Sequence, residues 1–386
     1  MNASKNHATA ADTRARYVMI GGFLGAGKTT AVGRFAAHLT ASGLSAGLIT
    51  NDQSTGLVDS SILRSQGFEV EEIGGGCFCC RFDTLSDAVG KLTERTRPDV
   101  FVAEPVGSCT DLMATVSYPL RRIYGDRFAI APLSVLVDPK RAARILGLES
   151  GRSFSAKVVY VYEKQLEEAD IIVINKCETR APDALERLSD ALRSRFPRAD
   201  VLQVSAKEGI GLDSWFERIL SGEGCVQPTM DVDYDTYAEG EALLGWLNST
   251  VAIAPSAEFD ANALLRELCD GIRDRVLAAG AEIAHLKMTL DAGHEDGQLA
   301  AISMVTSEGD ADVRESLLDR VTGGSLIINL RAEADPDVLA EASREVLAEC
   351  MTRHGLDWGV EHSEHFRPGR PVPVHRDVIS VGEGDA

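Results

Sequence analysis

Short apolar runs alternate with longer amphipathic stretches over the first part of the chain, from Arg16 to about Gly222. Each run is four or five residues long, and the stretch between one run and the next has the residue pattern of a helix. Strands that are short and apolar on both faces are typical of a parallel sheet with helical crossovers. The pattern predicts a doubly wound, mostly parallel α/β domain. The predicted strands are Tyr17 to Ile20, Ala46 to Thr50, Val100 to Ala103, Ser134 to Val137, Ile171 to Ile174 and Val201 to Val204.

A second pattern follows in the C-terminal part. The stretch 283–290 alternates strictly, with Leu286 and Met288 on one face and His285 and Lys287 on the other. If helices cover the apolar face, the face that carries His285 is predicted to be open to a partner. The predicted elements are strands near 242–251, 283–290, 299–305, 326–330 and 358–364, helices near 261–279 and 336–353, and a short helical piece near 313–320. This order predicts a smaller α+β, ferredoxin-like domain with one added strand.

Composition places the boundaries between these parts. Gly, Pro, Asp and Thr dominate residues 223–237, which predicts a linker between a domain at 16–222 and a domain at 238–366. Residues 1–15 are predicted to be a disordered tail. Residues 367–386 are a Pro-rich tail whose first part, 367–376, is basic; it is expected to lie semi-extended on the surface, with a docking strip for a client as one interpretation.

Charge and cysteine content narrow the functional classes. The formal net charge of −20 repels phosphate backbones and anionic lipid, so neither nucleic acid nor a membrane is expected as a partner. The sequence shows no membrane span or signal peptide, and a cytoplasmic location is expected. Eight cysteines are too few for a disulfide scaffold in 386 residues. Cys109, Cys225, Cys269 and Cys350 have no partner spacing and are interpreted as structural.

A phosphate-binding motif follows the first predicted strand. Gly22-Phe23-Leu24-Gly25-Ala26-Gly27-Lys28-Thr29 fits G-x-x-x-x-G-K-T, and Thr30 continues into a predicted helix. Glycines at Gly22, Gly25 and Gly27 let successive N–H groups point at phosphate oxygens, and the helix N-terminus adds positive charge. Lys28 is expected to bridge the β and γ phosphates, and the Thr29 hydroxyl to bind Mg²⁺.

Two further motifs indicate which base is bound. Asn175-Lys176-Cys177-Glu178 follows the fifth predicted strand, where guanine-binding P-loop proteins carry N-K-x-D, and Ser205-Ala206-Lys207 follows the sixth, where they carry S-A-K. The carboxylate of Glu178 would accept the guanine N1 and N2 hydrogens, while the Lys176 stem lies along the base. The order of the motifs predicts GTP and GDP as ligands, although Glu178 is one methylene longer than the usual Asp.

These motifs and the run Gly74-Gly75-Gly76-Cys77-Phe78-Cys79-Cys80 resemble CobW-type GTPases over nearly the whole chain. The resemblance implies GTP hydrolysis and nucleotide-gated metal delivery. It assigns Glu104 to the magnesium shell, Gly107 to sensing of the γ-phosphate, and Asp52 to Mg²⁺ or the attacking water. An Asx turn at the end of a strand is the alternative reading of Asp52. The segment from Glu104 to Gly107 reads Glu-Pro-Val-Gly, whereas the family carries Glu-Thr-Thr-Gly.

The three clustered cysteines are candidate metal ligands. Cys77 and Cys79 project to one side of an extended chain, and a modest kink turns Cys80 towards them. Three thiolates suit Zn²⁺ or a softer divalent metal and leave a fourth position open, as a delivery site requires. Buried small side chains and a redox dithiol are the alternative interpretations.

Zinc delivery from this site to a client metalloenzyme or corrinoid enzyme is the function that the sequence favours. The alternatives are a GTPase chaperone for corrinoid or metal-dependent enzymes that carries no metal, a small-metabolite kinase and a redox-sensing module. Homodimer formation is compatible with the sequence. The six histidines beyond the linker are interpreted as exposed polar side chains, with an auxiliary metal role as the alternative. His362 and His365 are predicted to face opposite sides of a strand.

Overall fold

The structure is a computed structural model that describes residues 14–52, 58–125, 127–222, 224, 228–254, 257–293, 298–309 and 311–379. The predicted N-terminal tail lies almost entirely outside these residues, as do Cys225, His294 and the end of the Pro-rich tail. Two sheets organise the described residues, one in each half of the chain.

The N-terminal sheet is parallel throughout, with the order β3-β2-β4-β1-β6-β7-β8 and a short β5 that pairs with β1. All six predicted strands are present, and the predicted fold class is confirmed. Sequence patterns missed β3 and β5, which are only four and three residues long. The strands are β1 (Ala15–Gly22), β2 (Ala46–Asn51), β3 (Val70–Ile73), β4 (Val100–Glu104), β5 (Phe128–Ile130), β6 (Ser134–Val137), β7 (Ile171–Ile174) and β8 (Asp200–Gln203).

Helices cover both faces of this sheet and bury two apolar clusters, one on each side. A π-helical turn at Met113–Ser117 leads into α4, and a 3₁₀ turn spans Cys177–Thr179. The helices are α1 (Lys28–Ala41), α2 (Val58–Ser65), α3 (Phe82–Arg95), α4 (Tyr118–Tyr124), α5 (Pro139–Ile145), α6 (Ala156–Glu167), α7 (Pro182–Arg195) and α8 (Leu212–Ser221).

The C-terminal sheet is antiparallel, with the order β12-β11-β10-β13-β9-β14. Strands β10, β13, β9 and β14 have the ferredoxin-like arrangement, and β11 and β12 extend it at one edge. The elements are β9 (Leu244–Ile253), α10 (Ala261–Ala278), β10 (Glu282–Asp291), β11 (Leu299–Met304), β12 (Asp312–Glu315), β13 (Gly324–Glu333), α11 (Pro336–His354) and β14 (Trp358–Phe366).

The predicted helical piece at 313–320 is wrong, since β12 occupies its first part. Val313 pairs with Ile302 across an antiparallel ladder, so the edge of β11 supplies the hydrogen bonds that this short segment would otherwise take from a helix. The sheet therefore carries two added strands rather than one.

Helix α9 (Tyr234–Leu243) begins inside the predicted linker. Asp233 caps it by accepting hydrogen bonds from the backbone N–H groups of Asp235 and Thr236. Tyr237 packs with Val161 of α6 and Val232 in a small apolar cluster. The second half of the linker is therefore packed against the N-terminal sheet domain.

The polar face of the C-terminal sheet is not open. Helices α10 and α11 cover the apolar face, whereas the opposite face packs on the N-terminal sheet domain and buries His285, which is 5% exposed. The prediction of an open face was wrong because the alternation of β10 shows two faces but not what covers each. No helix in the described ranges has the length and apolar character needed to cross a bilayer.

Candidate functional site: a nucleotide cavity beside a thiol cluster

The loop between β1 and α1 has the backbone that its glycines permit. Gly22 and Gly27 have φ values of 128° and 89°. A Cβ at Gly22 would lie 2.3 Å from the carbonyl oxygen of Leu136, and one at Gly27 would lie 2.4 Å from Nδ2 of Asn175. Glycine is therefore required at both positions, and the loop opens directly into α1, with its helix N-terminus facing the cavity described below.

Lys28, Thr29 and Glu104 lie together and are buried. The Lys28 ammonium donates to the carbonyl of Gly22 at 2.9 Å, and the Thr29 hydroxyl donates to Oε1 of Glu104 at 3.0 Å. Glu104 is the last residue of β4. A hydroxyl and a carboxylate beside a phosphate loop are the oxygen ligands that Mg²⁺ prefers. The residues present thus fit the predicted magnesium site.

A cavity of about 510 Å³ opens beside this loop, within the range typical of ligand pockets. Thr30, Asp52 and Gly107 line it, while the C-terminal sheet contributes residues that include His285 and Lys287. Five basic and three acidic side chains line the cavity, so it favours an anion although the protein is strongly acidic. They are Lys28, Arg34, Lys207, Lys287 and Arg314 on the basic side, and Asp52, Glu104 and Glu315 on the acidic side.

Asp52 follows β2 and pairs with a residue of the other sheet. Its Oδ1 lies 3.3 Å from NH2 of Arg331, whose side chain is fully buried. The Arg331 guanidinium stacks over the Trp246 ring at 3.9 Å and also donates to the Leu247 carbonyl and to Oδ1 of Asn248. The structure therefore places Asp52 at the cavity and at a contact between the two sheets.

Two of the predicted guanine-recognition residues, Asn175 and Lys176, contact backbone carbonyls of the phosphate loop. Asn175 donates to the Ala26 carbonyl at 2.8 Å and accepts from the Ala206 N–H at 3.0 Å. The Lys176 ammonium lies 2.8 Å from the Gly25 carbonyl and 2.9 Å from Asp138. One amide thus ties the two predicted base-binding segments to the loop.

The remaining predicted guanine-binding residues do not all line the cavity. Ser205 is buried and its hydroxyl accepts from the N–H of Glu208. Lys207 lines the cavity and pairs with Asp312 of β12 at 2.9 Å. Glu178 is exposed on the 3₁₀ turn and does not line the cavity. Its role in reading guanine remains a prediction.

Cys77, Cys79 and Cys80 converge as predicted. Their sulfur atoms all lie within 4.8 Å of one another, with separations of 2.8, 3.3 and 3.7 Å. Tetrahedral zinc with Zn–S distances of about 2.3 Å holds its sulfurs about 3.8 Å apart, so binding requires the closest pair to separate by about 1 Å. Hydrogen bonds from Cys109, Cys79 and Cys80 lower the pKa of Cys77 well below its usual value, which favours a thiolate there.

Both nucleotide-facing segments touch the thiol loop. At the end of β2, the Asn51 amide donates to the carbonyls of Ile73 and Gly76 at 2.9 and 2.8 Å, and Gly76 precedes Cys77. After β4, the buried thiol of Cys109 lies close enough to that of Cys77 for each to shift the pKa of the other. Cys109 lies two residues beyond Gly107, which lines the nucleotide cavity.

The Pro-rich tail lies across the thiol loop. The N–H of Val374 donates to the Cys79 carbonyl at 2.9 Å, and the N–H of Val372 lies 3.2 Å from Sγ of Cys80. Beyond them, the His375 ring meets Phe82 edge-on at 4.9 Å, and Arg376 pairs with Asp111 at 2.7 Å. The described part of the tail forms no helix or strand, and it covers the cysteines.

Comparison with known proteins agrees with this geometry. Residues 16–203 match the family model of the CobW/HypB/UreG nucleotide-binding domain. This part of the chain is therefore similar to the nucleotide-binding domain of that family. The chain is 30% identical over 210 residues to the zinc chaperone CobW of Sinorhizobium sp, which covers 50% of this chain and 58% of that protein. It is 30% identical over 177 residues to the zinc chaperone YeiR of Escherichia coli K12, covering 44% and 49%.

The chain thus spans only about half the length of these two relatives. Among solved structures, HypB from Archaeoglobus fulgidus is 21% identical, with a TM-score of 0.38 over 54% of this chain and 89% of that one. Zn(II)-bound YjiA GTPase from E. coli is 15% identical, with a TM-score of 0.36 over 86% and 99%.

Three features around the N-terminal sheet domain were not predicted from the sequence. Cys109, interpreted as structural, contacts Cys77, and its position five residues after Glu104 carried no thiol spacing. Arg331 and His285 reach the domain from the C-terminal sheet, and only their alternation with apolar neighbours was visible. The other histidines of that sheet lie away from the cavity: His362 and His365 are exposed, and His365 pairs with Asp337 at 3.0 Å.

Proposed function

We propose that the chain is a GTP-hydrolysing metallochaperone that binds one divalent metal, Zn²⁺ in the first instance, at Cys77, Cys79 and Cys80 and passes it to a client metalloenzyme. The observation that carries the proposal is the contact between the two sites. The thiol loop is held by Asn51 on one side and by Cys109 on the other, and both residues belong to segments that face the nucleotide cavity.

The nucleotide half rests on the phosphate loop and its basic cavity. Lys28 would exchange its contact with Gly22 for the β and γ phosphates, and the N–H groups of the loop would hold phosphate oxygens. Thr29 and Glu104, with Asp52 nearby, would hold Mg²⁺, which would neutralise phosphate charge. Asn175, Lys176, Glu178 and the Ser205-Ala206-Lys207 segment would select guanine, so GTP is the proposed substrate.

The metal half rests on the thiols. Three sulfurs leave a fourth position of tetrahedral zinc to a solvent molecule or to a ligand from the client, which suits transfer better than a closed four-thiolate site. The relatives named as zinc chaperones support zinc as the cargo. Because both cavity segments touch the thiol loop, ordering of these segments by GTP would change zinc affinity, and zinc would change GTP affinity by the same factor.

Two measurements test the halves separately. Titration with a non-hydrolysable GTP analogue should show binding that Lys28→Ala abolishes, and competition should favour GTP over ATP. Competition against a chromophoric zinc chelator should show about one tight zinc per chain, lost when all three cysteines are replaced by Ser, since hydroxyls are far weaker zinc ligands. Tight zinc in the triple Ser variant would overturn the metal site and favour a chaperone that carries no metal.

A further inference from the structure

His285 is a buried imidazole whose hydrogen-bonding groups are unused. It lies on β10, is 5% exposed, and neither Nδ1 nor Nε2 has a hydrogen-bond partner among the described residues. Leaving such polar atoms unsatisfied in the interior costs stability, so a buried orphan imidazole in a native fold calls for an explanation. His285 lines the nucleotide cavity, which places a ligand within its reach.

Lys287 lines the same cavity from the same strand face. It lies two residues after His285, and its side chain is half-buried. Burial and the positive charges of Lys287, Arg331 and Lys28 lower the pKa of His285 well below its usual value, so the imidazole is neutral at neutral pH. A neutral imidazole retains one N–H donor, and a lysine beside it supplies a cation. Together they form a site for an anionic oxygen.

The position of His285 is fixed relative to the phosphate loop. The buried guanidinium of Arg141 donates to the carbonyl of Leu24 in that loop and to the carbonyl of Ala284, the neighbour of His285, as well as to Val305. A Cβ at Gly25 would lie 2.8 Å from Cβ of Val305, so the second sheet packs closely on the loop. One side chain therefore sets the distance between the phosphate-binding backbone and β10.

We propose that His285 and Lys287 bind the terminal phosphate of the nucleotide, so that the C-terminal sheet distinguishes the triphosphate from the diphosphate. This inference rests on the nucleotide-binding function proposed above. The His285 N–H would donate to an oxygen of the γ-phosphate, and the Lys287 ammonium would pair with the same group. GDP lacks these oxygens and leaves both side chains without their ligand.

The test is the affinity of the full chain for a non-hydrolysable GTP analogue and for GDP, measured by calorimetric titration. A hydrogen bond to a charged group is worth about 1.5–3 kcal/mol, so His285→Ala and Lys287→Met should each weaken the analogue about 10- to 100-fold. GDP affinity should change by less than about twofold, which corresponds to under 0.5 kcal/mol, because GDP has no γ-phosphate for these side chains to bind. Thr289→Val is the matched control, because Thr289 is buried on the same face of β10 but does not line the cavity.

Lys287→Met keeps the test informative if His285→Ala does not fold, because Lys287 is the less buried of the two. Unchanged analogue affinity in the variants, or an equal loss of GDP affinity, would overturn the inference while the proposed function stands. If the unsubstituted chain binds neither nucleotide, the proposed function fails instead. The two failures are therefore separate results.

Discussion

The side-chain amide of Asn51 donates a hydrogen bond to the carbonyl of Gly76 at 2.8 Å, and so joins the last residue of a nucleotide-facing strand to the residue before the first cysteine of the thiol cluster. The same amide also holds Ile73 at the end of β3. Both carbonyls belong to the segment that presents the thiols. A shift of Asn51 on nucleotide binding would therefore move the backbone next to Cys77.

Asn51→Ala should uncouple the two ligands while each still binds. Coupling between linked sites is typically 5- to 150-fold, and we expect a difference of about tenfold in zinc affinity between the GTP-analogue and GDP complexes of the unsubstituted chain. The variant should reduce this difference to less than about threefold. Thr50→Val is the control, since Thr50 bonds Ser60 of α2 and not the thiol loop. Full coupling in Asn51→Ala would assign the effect to another contact.

Cys109→Ala should also change the coupling, by a different route. Its thiol contacts Cys77 but is not among the three sulfurs that lie within 4.8 Å of one another. The variant should therefore keep one zinc per chain and lose part of the nucleotide dependence, measured by the same chelator competition. Cys269→Ala, in the core of the C-terminal domain, is the matched control. Loss of stoichiometric zinc in Cys109→Ala would instead identify it as a ligand.

Removal of the tail should expose the thiols to reagents. A chain that ends at Arg370 lacks the N–H groups that contact Cys79 and Cys80, so Cys80 should react with iodoacetamide several times faster. A chain that ends at Asp377 keeps both contacts and should react like the full chain. Mass spectrometry of the alkylated peptide measures the rate at Cys80. Equal rates in the two shortened chains would show that the tail does not protect the thiols.

Glu168 should make stability depend on pH. It is buried beside the π-helical turn, where burial raises its pKa to about 8, although it accepts hydrogen bonds from the N–H of Met113 and from Thr110. Between about pH 4.5 and 8 the folded state holds a proton that the unfolded state releases, so the free energy of unfolding falls as pH rises.

Glu168→Gln removes that titration and should flatten the profile. Urea unfolding at pH 5.5 and 7.5 should show a loss in the unsubstituted chain that exceeds the loss in the variant by about 2 kcal/mol, since one pKa unit corresponds to 1.36 kcal/mol. Glu167→Gln is the control, because Glu167 is only partly buried and is paired with Lys164. Parallel profiles for Glu168→Gln and the unsubstituted chain would contradict the raised pKa.

The sequence was most informative where local pattern and chemistry agree. Apolar runs located six strands of the parallel sheet, and glycine spacing located the phosphate loop, because both depend on residues close in the chain. The thiol cluster was visible for the same reason. Val313 was misread because edge pairing with β11 overrides local helical preference. α9 was missed among Gly and Pro, although the cap at Asp233 was present in the sequence.

The contacts between segments that are far apart in the sequence could not be predicted from the sequence. Arg331 pairs with Asp52 across 279 positions, and the tail meets Cys80 across 292. Alternation shows that His285 lies on a polar face, but burial of that face depends on the docking of the two sheets. A lone Cys109 gives no spacing from which to infer a neighbour. These side chains join elements that only the folded chain brings together.

Arg141 has a consequence for how the protein can be dissected. Its guanidinium bonds the phosphate loop through Leu24 and the C-terminal half through Ala284 and Val305, so two of these three partners disappear if the halves are separated. An isolated N-terminal half would leave Arg141 with only Leu24 of these three acceptors, and its cavity would lack the wall that holds His285. The two halves are thus not independent modules, and nucleotide affinities measured on one half alone would not apply to the full chain.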